Sequence, residues 1–221
     1  MTKETAVSPL AAVLAVIISF MLLIFVGGAL ALLLGYGAAL IISELLVATV
    51  PLSYMLLKRV HIRSYIGSEF KPETILRGLV LAGALLLFDI VVSAVLTPIL
   101  GTSQAVEESN KIITDTSSSS IGLLMIVIGL CLAGVCEEFT FRAFLLNTID
   151  RKYSFLPALI VSSLAWGLFH FDPQLVYIIS AFLAGLVLGY IYHRWHSYVT
   201  CAIAHSTYNL IILAILLFIS R

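Results

Sequence analysis

The run Cys136-Glu137-Glu138-Phe139-Thr140-Phe141-Arg142 sets two adjacent carboxylates and a guanidinium inside an apolar stretch that begins near Ile121. Ionised side chains at bilayer depth cost roughly 2.5 to 3.5 kcal/mol each on insertion scales, so three together must be offset by partners, water or function. Helical residues step about 100° around the axis, so Glu137 and Glu138 diverge while Glu138 and Arg142, four apart, share a face. Glu138 and Arg142 then neutralise each other. Glu137 is left as an unpaired acid, the requirement for a general base. Two further polar sets lie in apolar surroundings: His170 at the end of Trp166-Gly167-Leu168-Phe169-His170, and His205 with Asn209, whose spacing of four gives them one face. Polar groups from three separate spans point to a site rather than to isolated packing residues.

Other reactive types carry less. Ser162, Ser163 and Ser206 lie near histidines in the chain, but no G-x-S-x-G elbow is present, which argues against a serine hydrolase. Cys131, Cys136 and Cys201 all fall in apolar runs and read as small buried hydrophobes, not as disulfides or zinc thiolates. Glu137, His170 and His205 could supply a His2Glu zinc set with an open fourth position. No H-E-x-x-H pair accompanies them, and the expectation is a site without metal or other cofactor.

The elements that must position these groups are membrane helices. Of 221 residues 61% are hydrophobic and 11% charged, with a mean hydropathy of +1.13, far from a soluble domain of ordinary composition. Twelve basic and 12 acidic residues balance, so there is no electrostatic footprint for nucleic acid. Seven apolar stretches approach the ~20 residues a spanning helix needs: about 10–33, 38–57, 78–99, 121–148, 155–171, 174–193 and 198–219. The prediction is an all-α, polytopic membrane helix bundle of about seven helices, or eight, forming one membrane domain over 1–221 with the chemistry in 121–219. The first stretch follows Lys3 but is too long for a signal h-region and is expected to be retained.

Between the spans, the short Asp172-Pro173-Gln174 turn makes spans five and six an antiparallel hairpin. The segment from Ser64 to Arg77 reads as an interfacial piece, with Pro72 opening span three. The polar segment Gly101 to Ser120 reads as a mobile extramembrane loop. Gly185 and Gly189 have the small-xxx-small spacing of close helix packing within the chain. Glu44 and Asp89, lone acids in spans two and three, are expected to find a cation or line a wet cavity. With seven spans, Lys3, Lys58, Arg59, Arg63, Lys71, Arg77, Arg151, Lys152 and Arg194 share one side against Lys111 and Arg221 on the other. The positive-inside rule makes the N-terminus cytoplasmic. Counted at ~1.5 Å per residue from the cytoplasmic ends, Glu137, His170 and His205 lie about 16, 22 and 10 Å deep, a spread that one site tolerates only with tilted helices or shifted boundaries.

These residues resemble the CPBP family of intramembrane proteases, which includes the Ras-converting CAAX endopeptidase and abortive-infection type membrane proteins. Its first motif, two glutamates, three residues and an arginine, is met by Glu137, Glu138 and Arg142. Its second, phenylalanine, three residues and histidine, is met by Trp166 and His170 with tryptophan for phenylalanine. Its third, histidine, three residues and asparagine, is met by His205 and Asn209. Ala143 stands where the family usually has glycine. The resemblance covers span four to the end and implies a membrane-embedded endopeptidase. In it Glu137 activates water, His170 orients the water or shares its proton, and His205 and Asn209 donate to the carbonyl oxygen as it gains charge. Glu138 and Arg142 hold the first motif in shape. The partner it implies is a lipid-anchored or membrane-associated peptide, with removal of the C-terminal tripeptide of a prenylated CAAX protein as the lead substrate. Two other readings stand beside it: a proton- or ion-coupled transporter using the intramembrane acids, and a non-catalytic immunity or scaffold protein.

Overall fold

The computed structural model describes residues 7–67 and 69–220 and is helical throughout, with no strand among the described residues. Lys3 and Arg221, used in the charge count, and Ser68 of the interfacial segment lie outside the described residues. Among the described residues nine helices follow one another: α1 (Pro9–Leu34), α2 (Tyr36–Leu57), α3 (Ile62–Ile66), α4 (Pro72–Leu100), α5 (Gln104–Thr116), α6 (Ser120–Lys152), α7 (Phe155–Phe169), α8 (Val176–Trp195) and α9 (Tyr198–Ile219). Six of them, α1, α2, α4, α6, α8 and α9, are long and apolar enough to cross a membrane. The seventh predicted span is present as α7, but at 15 residues it falls below that length. Large apolar side chains such as Leu32, Leu57 and Phe218 stand exposed on the outer faces of these helices, where only lipid satisfies them. The chain is an integral, multi-pass membrane protein.

α6 is the centre of the bundle. Every residue from Glu138 to Ile149 is buried, as expected of a helix covered on all sides. α2 and α9 pack along its first half, α7 against its second, and α4 covers α9. α7 and α8 form the predicted antiparallel hairpin. Asp172 shapes its turn by accepting the N–H groups of Gln174 (3.2 Å) and Tyr177 (2.8 Å), the latter in the first turn of α8. Gly185 and Gly189 of α8 meet Ser163, Trp166 and Leu159 of α7, so the small-residue stripe serves packing within the chain.

Three local features depart from the reading of the sequence. The 138–146 part of α6 is a π-helix, wider than an α-helix, so the 100° step used to separate Glu137 from Glu138 does not apply beyond Glu138. The polar segment after Gly101 is not a loop: Ser103 accepts the Val106 N–H as an N-cap and Glu107 sits in the first turn, and both stabilise α5. α4 and α6 are longer than predicted, at 29 and 33 residues. Pro72 does open α4, as expected.

Candidate active site

Trp166 of α7 is the piece around which the polar residues gather. Its indole Nε1–H donates to Glu137 Oε2. Its ring lies 5.1 Å from the His170 ring and 5.4 Å from the His205 ring, edge to face with both. The Arg142 guanidinium stacks over it at 4.2 Å. Glu137 is therefore not the unpaired acid expected from sequence. One of its oxygens is committed to an indole donor that spacing along α6 could not reveal.

The remaining contacts fix the orientation of each group. Glu138 and Arg142 form the predicted pair, 3.1 Å apart and fully buried. His205 Nδ1 lies 3.0 Å from Glu138 Oε1, so that ring nitrogen is oriented by the carboxylate and Nε2 points away from it. His170 Nδ1 donates to the Trp166 carbonyl at 2.9 Å, which leaves its Nε2 with a free lone pair. Asn209 donates one Nδ2 hydrogen to the Leu130 carbonyl at 3.3 Å and keeps a second N–H and its carbonyl oxygen. His170, His205 and Asn209 line one small cavity of about 80 Å³, together with Trp166, Tyr177 and Tyr208. Glu137 reaches that wall through Trp166.

α6 runs four residues past its predicted end to Lys152, which by the same count puts Glu137 about 22 Å from that end, level with His170, while α9 starts where predicted and leaves His205 about 10 Å from its own start. The π-helical stretch is held at this level by its neighbours. Thr140 Oγ1 donates to the Val47 carbonyl of α2 at 3.1 Å, and Ser162 Oγ of α7 donates to the Phe141 carbonyl at 2.8 Å. Ser162 and Ser206 each donate to a backbone carbonyl, Ser206 to Cys131 at 2.9 Å.

The two lone acids differ. Asp89 lines the cavity and accepts the Tyr208 hydroxyl, one of the two settings expected for it. Glu44 is buried on α2 within electrostatic reach of Glu137, a like charge, and its Oε2 makes no hydrogen bond. Among the described residues no three His, Cys, Asp or Glu side chains are grouped as a metal ion requires.

Residues 119–211 match the family model for type II CAAX prenyl endopeptidase Rce1-like proteins, and this bears out the resemblance read from the three motifs, all of which lie inside that segment. The match covers somewhat less than half of the chain. Searches of curated proteins and of solved structures returned no match.

Proposed function

We propose, from the premise that residues 119–211 carry this family's signature, that the protein is a membrane-embedded, glutamate-dependent endopeptidase. The observation that carries the reading is the sharing of one tryptophan: the indole that walls the cavity of His170, His205 and Asn209 also holds the Glu137 carboxylate. Glu137 takes a proton from water as the water attacks the scissile carbonyl. His170, through its free Nε2, orients that water and shares the proton on its way to the leaving amine. The oxygen that becomes negative takes hydrogen bonds from the second Asn209 N–H and from His205 Nε2. With Nδ1 facing the Glu138 carboxylate, Nε2 is the ring nitrogen of His205 left to meet that oxygen. Each such donor is worth about 2.7 to 4 kcal/mol of transition-state stabilisation in enzymes of this kind.

The family description makes the C-terminal tripeptide of a prenylated CAAX-type chain the first substrate to try. The distribution of basic residues supports, by the positive-inside rule, a reading in which the N-terminus is cytoplasmic. The test is cleavage of a prenylated reporter peptide by purified protein in detergent. Wild type is expected to cleave it, insensitive to chelator, and Glu137→Gln to abolish cleavage while the protein stays folded, since glutamine still accepts the Trp166 N–H. A Glu137→Gln protein that cleaves normally refutes the assignment.

A further inference from the structure

We propose that Tyr177 is a further catalytic residue, whose hydroxyl gives a hydrogen bond to the carbonyl oxygen of the scissile amide as that oxygen becomes negative. This rests on the endopeptidase reading above and adds one donor to the same site. Tyr177 stands in the first turn of α8 and lines the small cavity with His170, His205 and Asn209. Its ring meets the His170 ring edge to face at 4.6 Å, and Trp166 meets that ring likewise at 5.1 Å. Two aromatic rings thus hold the imidazole.

A tyrosine at the end of a spanning helix is ordinarily a belt residue, with its hydroxyl at the headgroup level. The Tyr177 hydroxyl lies elsewhere. It is within electrostatic reach of Glu137 above all, and of Tyr36, Asp89 and Glu44. These groups come from α6, α2 and α4, so the hydroxyl is turned into the bundle and not toward lipid. Tyr208, on the wall formed by α9, is engaged with Asp89. The Tyr177 hydroxyl has no hydrogen-bond partner among the described residues, which leaves its O–H for a bound group. A lysine or arginine at this point would form an ion pair with Glu137, the base, whereas a hydroxyl donates to an oxyanion and stays neutral. The hydroxyl is not what places the residue. Asp172 accepts the Tyr177 N–H at 2.8 Å and the Gln174 N–H at 3.2 Å, so the turn before α8 fixes the backbone and His170 the ring. Tyr177→Phe keeps both contacts and removes only the donor.

The experiment titrates the Glu137→Gln protein in detergent with two ligands. One is the prenylated reporter peptide. The other is the same peptide with a phosphinate in place of the scissile amide, whose tetrahedral, negatively charged oxygen stands for the carbonyl oxygen of the transition state. Adding Tyr177→Phe is expected to weaken the phosphinate at least about tenfold and the parent peptide less than about twofold. In the otherwise wild-type protein, Tyr177→Phe is expected to lower kcat about a hundredfold with KM within about twofold. Thermal unfolding is expected to stay unchanged. Equal loss for the two ligands, no loss for the phosphinate, or no binding of the phosphinate overturns the proposal. A wild type that cleaves no faster than Tyr177→Phe overturns it too and leaves the peptidase assignment standing. A wild type that does not cleave, with phosphinate binding still dependent on Tyr177, removes the peptidase assignment and leaves the oxyanion contact in place.

Discussion

Glu138 Oε1 stands 3.0 Å from His205 Nδ1 and 3.1 Å from Arg142 Nη1, so one carboxylate oxygen joins α6 to α9 and balances the buried guanidinium. The guanidinium nitrogens make no well-aligned hydrogen bond, and the charge of Glu138 and the face of Trp166 are what offset its burial. Removing one partner of a buried pair leaves an uncompensated charge at about 3–5 kcal/mol. Glu138→Ala is therefore expected to lower stability by that order, read as denaturant or thermal unfolding in detergent, and to abolish cleavage. Glu137→Gln is expected to abolish cleavage with a stability change below about 1 kcal/mol. Equal stability of the two variants contradicts this division between the glutamates.

Trp166 separates an aromatic wall from a hydrogen-bond donor. Trp166→Phe keeps a ring against Arg142, His170 and His205 but deletes the N–H that holds Glu137. Hydrogen bonds to charged groups are worth about 1.5–3 kcal/mol, so kcat is expected to fall roughly ten- to a hundredfold. KM is expected to move little, because the indole N–H faces the base. A kcat equal to wild type shows that Glu137 is held well enough by the rest of its surroundings.

The legible part of the site was the part written in local spacing. Glu138 and Arg142 are four apart in one helix, and their pairing survives the change from α- to π-geometry. The apolar stretches gave the helices, and Pro72 gave the start of α4. The Trp166 contact to Glu137 joins residues 29 apart on different helices, and substituting tryptophan for the family's phenylalanine reads as conservative until the donor has a target. The π-helix has no composition signal. It coincides with bonds from α6 to α2 and from α7 to α6, through Thr140 and Ser162, that join residues far apart in the chain. α5 was hidden by its polarity, although Ser103 ahead of Gln104-Ala105-Val106-Glu107 is a capping signal that a polar-equals-loop reading overlooks.

Gly134 sets the distance between the two helices that carry the site. A Cβ there would lie 2.3 Å from Ser206 Oγ and 2.4 Å from the Ser206 backbone nitrogen, one residue from His205 and three from Glu137. The obstacle includes backbone and cannot simply rotate away. Gly134→Ala is expected to push α6 from α9, costing about 1–3 kcal/mol as an overpacked contact and separating Glu138 from His205. The readouts are unfolding in detergent and cleavage, both expected to fall, while Gly83→Ala, where nothing lies within 4 Å, serves as the matched control. Normal stability of Gly134→Ala implies that the helices are less closely seated than drawn.

The side of the membrane toward which the site opens follows from which helix ends enclose a second cavity of about 420 Å³ that shares Asp89, Tyr177, Tyr208 and Asn209 with the small one. Thr97 near the C-terminal end of α4, Val176 at the N-terminal end of α8 and Leu216 near the C-terminal end of α9 all line it, together with α5. Lys71 and Arg77 at the N-terminal end of α4, and Arg194 at the C-terminal end of α8, mark the opposite side. With the basic side cytoplasmic, the cavity faces outward. A membrane-impermeant maleimide is therefore expected to label Lys111→Cys on intact cells and Glu73→Cys only after permeabilisation. Cys131, Cys136 and Cys201 sit within the membrane helices, two of them buried, and keep the background low. The reverse pattern inverts the orientation and places the cavity toward the cytoplasm.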